Sequence, residues 1–207
     1  MKNNVYQFLG LTLGVAALAA LPLRAADAVR YTSVPNECKM RMEGTSTIHD
    51  WHAESGVVGG ALEADAGFPN AAGGTVKLKA DVNIRVRTLK SSGGRKMDSI
   101  MLEHLKATDH KMIKYSVIEL VPKGANAAGG VDFEAKGTLT ISGVTRTNIM
   151  PVTVAKVGDG KLKVTGATSL KMTDYGVQPP APDVGLGLIK TGDEVKLKFE
   201  WVTEKAQ

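Results

Sequence analysis

The chain has 207 residues, of which 43% are apolar and 23% charged, with a single cysteine and a formal net charge of +5. This length allows one domain, and the ordinary apolar content excludes an intrinsically disordered chain. Because Cys38 has no partner within the chain, a disulfide scaffold is excluded as well.

The N-terminus is typical of a secretory signal peptide. Lys2 supplies the positive start, the apolar run 8–21 follows, and small residues stand at Ala25 and Ala26. We therefore expect a signal peptide at 1–25, cleaved near Ala25, one barrel domain at 26–207, and a periplasmic or secreted protein. The run is short for a transmembrane helix, which needs about 20 apolar residues, but an uncleaved anchor is the alternative.

The net charge does not predict a nucleic-acid partner. Cleavage would remove Lys2 and Arg24 and no acidic residue, which lowers +5 to +3. The remaining cations are scattered between apolar residues instead of clustering in a basic patch. We expect no nucleic acid to bind.

Alternation of apolar and polar residues predicts a chain made mostly of β-strands, because a period of two places all the apolar side chains on one face. The clearest example is 76–87, where every even position is apolar. The predicted strands are 38–48, 51–60, 76–87, 115–121, 131–141, 147–157, 161–172 and 195–201. Tight turns at Ser142-Gly143 and Gly158-Asp159-Gly160 favour antiparallel neighbours, and longer loops are expected at 65–74, 122–130 and 173–194.

One interval has helical spacing instead. Apolar residues recur at Met97, Ile100, Met101 and Leu105, which predicts a short helix over 96–106, after the third strand. The predicted fold is all-β: an eight-stranded antiparallel, lipocalin-like barrel with this one helix. Small residues on the inward face (Ala80, Ala135, Gly137, Gly166, Thr168) leave room for a ligand, but bulky side chains opposite them could fill the lumen.

Four stretches resemble the YceI-like family of secreted, lipocalin-like, polyisoprenoid-binding proteins. They are Glu43 to Trp51, Lys96 to Lys106, Gly137 to Thr145 with Val152 continuing the pattern, and Met172 to Gly176. The resemblance extends over about residues 30–203. It implies an eight-stranded barrel that holds a long isoprenoid or another lipid tail in its lumen.

From this resemblance we expect non-enzymatic binding, transport or sequestration of an isoprenoid, quinone-like or other lipid in the cell envelope. The expected ligand-binding residues are Met40, Met42, Trp51, Val82, Ile84, Met101, Leu105, Phe133, Phe199 and Trp201. Methionines suit a flexible tail because the thioether changes conformation easily. The alternative is an envelope protein-interaction or stress-related factor with a filled barrel and no small-molecule ligand. A transient membrane contact and a homodimer are both open.

Other chemistry has little support in the sequence. His49 and His52, three residues apart, converge with Asp50 only around a tight turn, so we expect no metal site, and hydrogen bonds that fix the turn before Trp51 are the simpler interpretation. There is no Gly-x-Ser-x-Gly motif, and we expect no catalytic residue and no cofactor. Gly93, Gly94, Arg95 and Lys96 before the helix could meet an anion, or could form an ordinary solvated loop.

Overall fold

The computed structural model describes residues 28–70, 76, 78–181 and 189–206. The predicted signal peptide with its cleavage site, and parts of the predicted loops 65–74 and 173–194, lie outside these residues. No helix within the described ranges has the length and apolar character needed to cross a membrane.

The described chain forms one antiparallel sheet of eleven strand segments and one α-helix, α1. In chain order the elements are β1 (Ala28–Ser33), β2 (Lys39–Ser46), β3 (Trp51–Ser55), β4 (Val58–Asp65), β5 (Leu78–Arg85), β6 (Lys90–Ser91), α1 (Gly94–His104), β7 (Met112–Ala125), β8 (Val131–Ile141), β9 (Val144–Lys156), β10 (Lys161–Lys171) and β11 (Thr191–Lys205).

The sheet closes into an eight-stranded antiparallel barrel. The order β1-β4-β5-β7-β8-β9-β10-β11 returns to its start because β1 pairs with β11, with Tyr31 opposite Lys205 and Ser33 opposite Thr203. The remaining segments continue strands of the same ring. β2 pairs with β11 beyond β1, β3 pairs with β2, and β6 pairs with β3. The eleven segments therefore form eight barrel strands, three of which are interrupted.

The three interruptions are β1/β2, β3/β4 and β5/β6. They lie side by side, and a hydrogen bond joins the second to the third, where the Ser55 and Thr88 hydroxyls are 2.7 Å apart. Thr88 Oγ1 also donates to the Arg85 carbonyl at 2.7 Å. In the first interruption the Cys38 thiol donates to the Val34 carbonyl at 3.4 Å, and burial raises the pKa of this thiol. The breaks bend the wall while their polar groups remain satisfied.

The predicted strands are confirmed in kind but not in every boundary. The segment 131–141 is confirmed to the residue, whereas 51–60 is divided at Gly56, and the predicted loop at 122–130 begins inside β7. The turn at Ser142-Gly143 is confirmed, with φ of 48° and 82°, which two-residue hairpins of this hand require. The helix covers 94–104 instead of 96–106, and it follows β5 and β6, not the third segment β3.

Candidate ligand-binding lumen

The barrel encloses a cavity of about 480 Å³ that is partly open at the end where α1 lies. This volume falls in the range of roughly 300–1,000 Å³ that is usual for small-molecule sites. Phe68 forms the floor. The rim is formed by the β2–β3 turn, by α1 and by residues beside them. Its members are Ile48, His49, Gly93, Met97, Ile100, His104, Pro180 and Ile189. Among the described residues, no Asp, Glu, Lys or Arg lines the cavity.

Nine of the ten residues that we predicted from the sequence line this cavity. They are Met40, Met42, Trp51, Val82, Ile84, Met101, Leu105, Phe199 and Trp201. Phe133 lies elsewhere: it is 1% exposed and packs behind the floor, with its ring centroid 5.8 Å from that of Phe68. The alternation places Phe133 correctly on the inner face, but it does not tell at which height along the barrel the cavity ends.

Aromatic rings in the wall lie flat against glycines on the neighbouring strand. A Cβ atom at Gly137 would come within 2.5 Å of Tyr115 Cζ, and one at Gly166 would come within 2.5 Å of Phe199 Cζ. Trp51 covers Gly44 in the same way. Since these rings lie against the wall instead of pointing across the barrel, the lumen stays open.

The polar atoms of the cavity's two indoles are satisfied within the wall. Trp201 Nε1 donates to Ser33 Oγ at 2.6 Å, and Trp51 Nε1 donates to the Thr45 carbonyl at 3.1 Å. Both rings therefore present carbon surface to the lumen, where an apolar chain could contact them.

A short polar band crosses the upper part of the lumen, and of its residues only Thr168 was expected from the sequence to face inward. Tyr115, Asn148 and Thr168 face inward from β7, β9 and β10. Desolvation raises the pKa of Tyr115 to about 12, so its hydroxyl stays protonated at neutral pH. Asn148 could have been found from its position, because alternation places it on the same face as Met150 and Val152.

The rim is held by hydrogen bonds between side chains and the backbone. The Ser91 N–H donates to Asp98 Oδ1 at 2.6 Å and so connects α1 to β6. This hydrogen bond lowers the pKa of the Asp98 carboxyl, and the nearby Lys90 ammonium lowers it further by a smaller amount. His49 Nδ1 is 3.0 Å from the Asp50 carbonyl, and Ser46 Oγ donates to the His49 carbonyl at 2.7 Å, so local hydrogen bonds do fix the turn before Trp51. Within the described part of the chain, no three His, Cys, Asp or Glu side chains come close enough to hold a metal ion.

Comparison with known proteins gives one family and several similar folds. A family model described as "YceI-like domain" matches residues 31–203. The fold is similar to that of BcnA from Burkholderia cenocepacia (TM-score 0.62, 20% identity, 82% of this chain and 98% of that chain). It is also similar to a polyisoprenoid binding domain from Saccharophagus degradans implicated in plant cell wall breakdown (0.61, 13%, 86% and 99%). The YCEI protein of Campylobacter jejuni has a similar fold too (0.55, 17%, 75% and 84%). No curated protein sequence matches the chain.

Proposed function

The chain belongs to the YceI-like family, and from this premise we propose that it binds a long-chain isoprenoid or a similar lipid in its barrel lumen, without catalysing a reaction. The single observation that carries the proposal is the apolar cavity of about 480 Å³ that reaches from Phe68 to an open rim. Burial of each CH₂ group of a ligand contributes about 0.8 kcal/mol, so a tail of ten carbons supplies a large driving force before the cost of ordering it.

Two further features support a lipid over a compact polar ligand. The described lining residues include no Asp, Glu, Lys or Arg, and the two histidines, His49 and His104, lie at the rim, so a charged group inside the lumen would have no carboxylate, ammonium or guanidinium partner. Met40, Met42, Met101 and Met150 line the wall, and their flexible thioethers can adapt to a branched, mobile chain.

The first test is native mass spectrometry of the protein purified from cells that make it, repeated after denaturing extraction into organic solvent. We expect a stoichiometric extra mass of a few hundred daltons that partitions into the solvent and identifies the lipid. A bare mass that is unchanged after incubation with polyprenols and quinones would favour the other candidate, an interaction protein that uses only its outer surface.

A matched pair of variants tests whether the lumen is the site. Ala80 lines the cavity and is 3% exposed, whereas Ala167 faces solvent on β10. Ala80→Phe should displace about two ligand methylenes and weaken binding about tenfold, whereas Ala167→Phe should leave the Kd unchanged. Equal affinities of the two variants, with both folded, would place the ligand outside the lumen.

We also propose that the protein works in the cell envelope. The n-region, apolar run and small residues of 1–25 support this location. The intact mass of the protein recovered from an osmotic-shock or culture-medium fraction would test it, because cleavage after Ala25 fixes the expected N-terminus at Ala26.

A further inference from the structure

Among the residues that the structure describes, Asn148 is the one polar side chain with a buried atom that lacks a partner, and it lies in the lumen wall. Its Nδ2 donates to Thr168 Oγ1 at 3.3 Å, whereas its Oδ1 is buried and accepts no hydrogen bond from any described residue. An unpaired carbonyl in such a place costs free energy, and native structures rarely retain one without a reason.

Asn148 lies in a small polar region of the lumen wall, and the wall is apolar above and below it. Asn148 is paired across the sheet with Gly137, and the ring of Tyr115 lies over that glycine, where its hydroxyl donates to the Ala135 carbonyl at a long 3.4 Å. Along the barrel, the neighbouring lining residues are apolar on both sides of this region: Leu139 and Leu170 toward the rim, and Met150 and Val152 toward the floor.

The chemistry of the lining restricts which ligand group could suit this polar region. Beside Asn148, a phosphate, carboxylate or ammonium group would meet no Asp, Glu, Lys or Arg among the described lining residues, so a neutral group fits better. A ketone or an ether only accepts hydrogen bonds and leaves Asn148 Oδ1 unpaired. A hydroxyl both donates and accepts, so it can donate to Asn148 Oδ1 while it accepts from the Thr168 hydroxyl, or from Tyr115 if that hydroxyl gives up its long contact with the Ala135 carbonyl.

We propose that the lumen selects a neutral lipid with a hydroxyl group, which sits beside Asn148 while the carbon chain extends toward Phe68. This inference deepens the proposed lipid-binding function and rests on it. Asn148 would accept the hydrogen bond from the lipid hydroxyl, and Thr168 or Tyr115 would donate one to it.

The test compares three probes of one chain length: a C20 isoprenoid alcohol, its methyl ether and its monophosphate. The wild-type protein should bind the alcohol about tenfold more tightly than the ether, which is the discrimination expected of one neutral hydrogen bond, and more tightly than the phosphate. If the alcohol and the ether bind equally, or the phosphate binds best, the proposal is wrong, and a buried water is the simplest partner for Asn148.

Variants locate the discrimination. Asn148→Leu should bind the alcohol and the ether equally, because the hydrogen bond that distinguishes them is gone. Thr147→Leu, a neighbouring change on the exposed face of β9, should keep the tenfold preference. Persistence of the preference in Asn148→Leu would overturn the assignment. Should this variant fold poorly, the probe series on the wild-type protein still decides the matter. If neither the alcohol nor the ether binds the wild-type protein, the proposed lipid-binding function fails as well, and that result differs from equal binding.

Discussion

The two ends of the barrel differ in how tightly their side chains are enclosed. At the end where β1 meets β11, which we call the sealed end, Phe68, Phe133, Leu162 and Thr203 are at most 2% exposed. At the rim, α1 has no buried residue and Ile48 is 63% exposed. We therefore expect stability to reside mainly at the sealed end and the proposed ligand to enter through the rim.

Truncation at the sealed end should have the largest effect. Phe133→Ala removes a ring that is stacked on Phe68 and should cost about 3–5 kcal/mol of unfolding free energy. Denaturant unfolding measures this, and Tm should fall by roughly 2–4 °C per kcal/mol. At the rim, Ile48→Ala should stay within about 0.5 kcal/mol of the wild-type protein. Similar losses at the two sites would remove the distinction between the ends.

Enlargement of alanines should separate packed wall from open lumen. Ala64 on β4 is 2% exposed and does not line the cavity. Ala80 lies on the neighbouring strand β5, two residues beyond the partner of Ala64, and it does line the cavity. Ala64→Leu should therefore destabilise the protein by about 1–3 kcal/mol through overpacking, and Ala80→Leu should change the unfolding free energy little because its side chain enters free space. If chemical denaturation gave the two variants the same loss of unfolding free energy, there would be no free space beside Ala80.

The hydrogen bond between Ser91 and Asp98 at the rim should also weaken in acid. The Ser91 N–H holds the pKa of Asp98 below its ordinary value, so this contribution to stability is present above the unfolded pKa of about 3.9 and is lost as the pH falls through the folded pKa. Hydrogen exchange at matched pH should show faster exchange at Ser91 in Asp98→Ala than in the wild-type protein, with the exchange of β10 unchanged. Slower or unaltered exchange at Ser91 would contradict the role of this hydrogen bond.

The smallest expected effect concerns ligand entry. The exposed side chains of the rim would be the first to contact a membrane that donates lipid, so Ile48→Ser should slow transfer from vesicles about fivefold. The equilibrium Kd should change much less, because Ile48 contacts only the entrance. A large rise in Kd with an unchanged transfer rate would assign Ile48 to the bound state instead.

Much of the fold could be predicted because alternation is a strong local signal. β8 and β10 show it in nearly every residue, and the turn residues on either side of β9 favoured antiparallel neighbours. β1 and β6 were missed because six and two residues are too short for a period to stand out. The break at Gly56 was missed because it is stabilised by the hydroxyls of Ser55 and Thr88, which are far apart in sequence.

The site was less predictable than the fold for a similar reason. Inward orientation follows from parity, which is why Met40 and Trp201 were correctly placed in the cavity wall. The height of a residue along the barrel depends on the register between neighbouring strands, which the sequence pattern does not give. This register places Phe133 below the floor of the cavity and Asn148 above it. A lone polar residue at an inward position was a usable signal for Asn148, since every neighbour of the same parity from Met150 to Val154 is apolar.

Closure of the ring between β1 and β11 decides when an enclosed lumen first exists. β11 ends at Lys205 and pairs with segments that begin at Ala28, so the pairing joins the two extremes of the described chain. Such distant pairing is slow, because the entropy of a long loop must be lost first. Until β11 has paired with β1 the wall is open, so the lumen could enclose the proposed lipid only after this late pairing.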